Sequence, residues 1–155
     1  MAGHKLYAPK GVGALYLRNG VILEPFMHGA GHEDGWRAGT ENIVFDVGLG
    51  AACALAQDLA WTARVQELRD RFWETVHAAF GDAVVLNGHP TQRLPNTLNV
   101  SFVGKVGADI LARMPEVAAS TGSACHAGTV KLSPVLRAMG VSPEIGMGAI
   151  RFSLG

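Results

Sequence analysis

Two side chains in this sequence have the type and setting for covalent chemistry. Cys125, in "AASTGSACHAGTVKLSP", lies between small residues and His126 in a run with little apolar content to bury it. The thiolate is the nucleophilic form of cysteine, and a charged imidazole beside it favours that form. Lys5, in "GHKLYAPKGVG", is flanked by glycines that allow tight turns. Its amine can form a Schiff base with a carbonyl cofactor where a low-dielectric or cationic setting frees it of its proton. Each has a plainer reading, Cys125 as a small core residue and Lys5 as a solvated charge. Cys53, inside the apolar run "NIVFDVGLGAACALAQ", reads as structural. His28, His32 and Glu33 share a glycine-rich loop, but with no helix to align them and no further ligands nearby they do not predict a metal site.

The elements that must position these groups follow from local patterns. Residues 14–17 and 21–23 are short β-branched and aromatic runs joined by Asn19-Gly20, which predicts a β-hairpin. The stretch "MHGAGHEDGWRAGTEN" reads as a long loop. Beyond Thr40, a candidate N-cap with Glu41 in the first turn, helical spacing takes over. Val65, Leu68, Phe72, Val76 and Phe80 recur at three or four residues, Gly81 can end the run, and a bend or restart is expected near Gly48 or Gly50. Strands "AVVLN", "TLNVSFV", "VAAST" and "AIRFSLG" then alternate with helices "GADILARMP" and "SPVLRAMG", which predicts an α/β sandwich.

Composition narrows the class further. The 155 residues are 48% hydrophobic and carry equal numbers of acidic and basic side chains. A nucleic-acid or membrane surface would call for a basic excess. The mean hydropathy of +0.20 is apolar for a small monomer, and favours a chain that buries surface against a partner or a missing part. The longest apolar run is interrupted by Asp46 and glycines, so no membrane span is expected. No apolar signal core opens the chain, so a cytoplasmic protein is expected. Two cysteines without a CxxC spacing argue against a disulfide or a cysteine-rich zinc site.

Six segments, "GHKLYAPKGVGALYLR", "HGAGHEDGWRAGTEN", "RLPNTLNVSF", "STGSACHAG", "LSPVLRAMG" and "IRFSLG", together resemble the class V aminotransferase-like pyridoxal-phosphate enzymes, and among them the cysteine desulfurases and selenocysteine lyases. The resemblance runs from Gly3 to Gly155. It implies the end of the fold-type-I large domain over residues 1–40, a linking helix region over 41–81, and a small C-terminal α/β domain with the cysteine loop over 82–155.

The resemblance also implies roles. Lys5, directly after Gly3 and His4, matches the lysine that carries pyridoxal 5'-phosphate, with His4 beside the cofactor phosphate and Gly3 among the cofactor-binding residues. Thr40 matches the threonine that reaches the phosphate of the neighbouring subunit of a homodimer, a role compatible with a simple N-cap. Cys125 matches the nucleophile that takes sulfur from L-cysteine, or selenium from selenocysteine, as a persulfide and leaves alanine. Arg151 matches the arginine that clamps the substrate carboxylate, for which a guanidinium fork is suited, with a surface ion pair as the plainer alternative.

The sequence departs from the family at Ala2, where desulfurases usually have a phosphate-binding serine. In complete relatives about half the chain precedes the lysine and supplies the groups at the cofactor's ring nitrogen and ring face. The expectation is therefore a truncated form, inactive alone, whose full-length counterpart hands sulfur to an acceptor or iron–sulfur scaffold protein. A non-catalytic dimerisation or scaffold-binding module is the competing reading, and a cofactor-free sulfur carrier using Cys125 is a third.

Overall fold

The computed structural model describes residues 1–121 and 131–155, and the chain divides into two compact units, Met1–Leu59 and Ala60–Gly155. Among the described residues no helix is long and apolar enough to cross a membrane.

The first unit is built from turns and one helix. A 3-10 turn at Gly3–Leu6 leads into loops, a second 3-10 turn spans Glu33–Gly35, and α1 runs over Ile43–Leu55. Inside α1, Gly48 lies against Pro9: a Cβ there would fall 3.0 Å from the proline Cδ. Helix and first turn therefore touch through the absence of a side chain. The predicted hairpin is only partly formed. Val21 N–H donates to Arg18 C=O at 3.1 Å around Gly20, whose φ of +86° glycine tolerates. The flanks form no ladder among the described residues, and Tyr16 and Ile22 lie 85% and 94% exposed. A two-stranded hairpin with no third strand or apolar face beneath it is marginal.

The second unit opens with α2, Thr62–Phe80, ended by Gly81 as its spacing predicts. The interruption between α1 and α2 falls after Leu55 rather than at Gly48 or Gly50. The strands are β1, Val84–Leu86; β2, Thr97–Phe102; and β3, Ala149–Ser153. They form a three-stranded antiparallel sheet in the order β1-β2-β3. Helices α3, Gly107–Ala112, α4, Pro134–Ala138, and α5, Pro143–Gly146, lie between β2 and β3 in the chain. The expected strand "VAAST" contracts to one bridge, Ser120 opposite Arg151. The sequence reading left α5 unassigned, although Ser142 and Pro143 carry the start signal of a helix with proline in its first turn.

The sheet has a core on each face. Val84, Leu98 and Val100 pack with Phe72, Trp73 and Val76 of α2, and Phe72 meets Phe152 edge-on at 5.0 Å. On the other face Ala149 joins Leu132 and Leu136, with Val141 and Met147 around them. Gly148 enters β3 so close to the carbonyl of Phe102 that any Cβ would overlap it. Arg69, 3% exposed on α2, donates to Leu94 C=O at 2.7 Å and to Asp70 Oδ1 at 2.8 Å, which ties the proline loop 87–96 to the helix.

Leu98 is 1% exposed at the centre of this packing. Leu98→Ala should cost about 2–5 kcal/mol in urea unfolding. Val85→Ala, on the exposed side of β1, should stay within about 0.5 kcal/mol.

Candidate functional site

Lys5 sits on a turn that its surroundings leave little freedom. Gly3 N–H donates to Val12 C=O at 2.8 Å, Ala14 N–H to Met1 C=O at 3.0 Å, and Ala2 pairs with Gly13. This antiparallel clamp holds the root of the turn. Lys5 N–H then donates to Ala2 C=O at 3.1 Å, and Tyr7 closes the turn in the left-handed region at φ 63°. Gly3 is buried where a Cβ would come within 2.9 Å of both Cγ1 and the carbonyl oxygen of Val12. His4 and Lys5 stay exposed. The fold thus buries the glycine and presents the amine.

The loop ahead of α1 folds around Arg37. The guanidinium donates to Gly39 C=O at 2.5 Å and to Glu33 Oε1 at 3.2 Å, and Ala38 N–H returns to Met27 C=O at 3.0 Å. Its own backbone N–H holds the Glu41 carboxyl below the ordinary range, with help from the charges of His32 and Arg37. The expected cap is displaced by two residues. Asn42, not Thr40, caps α1, its Oδ1 accepting from Phe45 N–H at 3.3 Å. Asparagine is at least as good a cap as threonine, and here the helix starts at Ile43. Thr40 remains exposed.

In the second unit Arg151 lies on β3 with its side chain exposed. Its backbone is gripped on both sides: Asn99 of β2 is its register partner, while Arg151 N–H donates to Ser120 C=O at 2.6 Å and accepts from Ser120 N–H at 3.1 Å. A buried amide backs this region. Asn87 Nδ2 donates to Asn99 Oδ1 at 2.7 Å and to Ser101 Oγ at 2.8 Å.

The fold therefore groups Gly3, His4 and Lys5 on one turn and places Thr40 in the same unit. Arg151 belongs to the second unit, and Cys125 with His126 lies outside the described residues. Cys53 is half-buried in α1. Sequence reasoning passed over Asn87 and Asn99; the signal for the latter was the polar alternation Thr97, Asn99, Ser101 in "TLNVSF".

The chain's fold is seen in solved structures. A NifS-like protein superposes on 98% of this chain with a TM-score of 0.79 and 34% identity, over 39% of its own length. A structure titled as SspA in complex with cysteine matches 98% of this chain at 32% identity and a TM-score of 0.68, over 42% of its own length. The model of the aminotransferase class-V family matches residues 1–155, and the chain belongs to that family. Cysteine desulfurase 2 of Trichormus variabilis is 47% identical over 99% of this chain, and the cysteine desulfurase IscS of Acinetobacter baumannii 44%. The chain spans 38–39% of the length of these curated relatives.

Members of this family in general depend on pyridoxal phosphate, and the first unit's chemistry fits such a group. An exposed primary amine suits its aldehyde, and the side chains of His4 and Thr40 are hydrogen-bonding groups suited to a phosphate. The buried, Cβ-free backbone at Gly3 fixes the turn from which the amine projects.

Because Asn42 carries the cap, Asn42→Ala should lower stability by about 1 kcal/mol in helix-monitored urea unfolding. Thr40→Val should change it by no more than about 0.5 kcal/mol. A larger loss at Thr40 than at Asn42 would return the cap to Thr40.

Proposed function

We propose that this chain supplies the lysine, thiol and carboxylate-binding parts of a cysteine desulfurase that takes sulfur from L-cysteine and leaves alanine. The observation that carries this reading is the 44–47% identity to desulfurases across 99% of the chain. The related structure titled as a complex with cysteine supports that substrate over selenocysteine.

Pyridoxal phosphate, when bound, withdraws electrons from the α- and β-carbons of an amino acid. Lys5 would hold the cofactor through its amine and, when its amine is free, would move the proton at the substrate α-carbon. His4 and the backbone at Gly3 would help hold the cofactor beside its phosphate, and Thr40 would bind the phosphate in the neighbouring subunit of a homodimer. Arg151 grips the substrate carboxylate through two parallel N–H donors. The Cys125 thiolate attacks the substrate sulfur: the S–S bond forms as the C–S bond breaks, and the carbon left behind keeps the electron pair and is protonated. The sulfur stays on Cys125 as a persulfide until an acceptor or iron–sulfur scaffold protein takes it.

These residues leave the cofactor's ring nitrogen and ring face without an assigned partner. Positioning of reacting groups accounts for about 7–11 kcal/mol of a barrier. We therefore propose that the 155 residues alone do not turn over cysteine.

Two experiments check this. Joined to the part of Trichormus cysteine desulfurase 2 that this chain does not match, the protein should release alanine from cysteine, and sulfide when a thiol reductant is supplied. In it, Lys5→Ala should remove both the visible cofactor absorbance and activity, whereas Cys125→Ser should keep the absorbance and lose the persulfide; loss of both in Cys125→Ser would make that residue structural. In the chain by itself, a soluble alkylating reagent should label Cys125 far faster than Cys53, since Cys125 stands beside His126 in a polar, small-residue run while Cys53 is half-buried in α1. Equal labelling rates would count against a reactive thiol.

A further inference from the structure

We infer that Asn99 is a second hydrogen-bond donor to the substrate carboxylate, acting beside Arg151; this rests on the assignment of Arg151 to that carboxylate. The register of the sheet brings the two together. Phe102 N–H donates to Gly148 C=O at 3.1 Å and Leu154 N–H to Asn96 C=O at 2.8 Å, which makes the even-numbered residues of β2 the hydrogen-bonded pairs with β3. Asn99 and Arg151 are then a non-hydrogen-bonded pair, the closer kind, with Cβ atoms about 4.5–5.5 Å apart on one face. The bonds between the Arg151 backbone and Ser120, at 2.6 and 3.1 Å, fit this pattern, because the arginine's N–H and C=O point away from β2.

The amide of Asn99 has a defined orientation. Asn87, 6% exposed, donates from Nδ2 to Asn99 Oδ1 at 2.7 Å, so the acceptor of Asn99 is engaged and its NH2 is the free end. Among the described residues Asn99 bonds through its Oδ1 and Arg151 through its backbone, which leaves that NH2 and the Arg151 guanidinium with no acceptor there. Both groups are donors only, so neither can satisfy the other. An acceptor with two oxygens satisfies both, and a carboxylate is such a group. An apolar side chain at position 99 would leave Arg151 without a second donor beside it.

The test follows side-chain signals of the 15N-labelled chain, Asn99 Nδ2 and Arg151 Nε, during titration with L-cysteine and then with L-cysteine methyl ester. Both should shift together with L-cysteine, with one common affinity, and neither with the ester. Asn99→Ala should weaken the Arg151 titration about tenfold, the size expected for a hydrogen bond to a charged group, and Asn99→Asp should abolish it by placing a carboxylate against the ligand's own. The backbone amide signals of Val100 and Ile150 report whether the sheet survives, and Asn99→Val, donor-free and suited to a strand, serves the same comparison if the alanine variant unfolds. A shift at Arg151 with none at Asn99, or an undiminished titration in Asn99→Ala, overturns this inference and leaves the role of Arg151 standing. No shift at Arg151 overturns that role and the inference with it.

Discussion

The register of β3 against β2 is the constraint on which the second unit depends. Side chains alternate across a strand, so a slip of one residue would exchange the two faces. In the observed register Ile150, fully buried, sits opposite Val100, on the sheet face whose core is shared with α2, while Arg151 faces the other way. A slip would drive the guanidinium into that core and expose Ile150. Gly148 fixes the register at its entry, because only a residue without a Cβ can pass the Phe102 carbonyl. Ser120 fixes it from the far side of β3.

The first unit relies on a different device. Its lysine turn is held by crossed backbone bonds and by two close approaches, Gly3 to Val12 and Gly13 to the Met1 carbonyl, with little hydrophobic core beneath it. Rigidity there comes from backbone geometry and in the second unit from side-chain packing. A reactive amine benefits from the former, since a turn can be well fixed and still leave its side chains in the open.

Much of this was legible from residue spacing. The repeat Val65, Leu68, Phe72, Val76 gave α2 and its buried stripe, and β-branched runs gave β1, β2 and β3, because these elements bury one face and periodicity records burial. The resemblance of six segments gave the family across the whole chain. Three local features escaped. Gly48 reads as a bend but serves a contact with Pro9, a neighbour that spacing does not reveal. Thr40 and Asn42 are both good caps, and the choice between them depends on where the loop around Arg37 delivers the chain. Asn87 and Asn99 are joined only once the sheet pairs, so no local pattern links them. The placement of Cys125 lies outside the described residues, and its role rests on its sequence setting and its relatives.

The anchoring of loop 87–96 has a consequence for how the protein meets proteases. Arg69 holds Leu94 from the helix side, and the His89 ring accepts from Gln92 N–H at 2.9 Å and from Thr91 N–H at 3.2 Å. A protease must draw a segment out into extended form before it can cut, and exposed loop tips without such ties are where nicking concentrates. The ties at Thr91, Gln92 and Leu94 must open first, one of them to a nearly buried guanidinium. Cutting this surface segment, rich in proline and polar residues, therefore first requires those bonds to break.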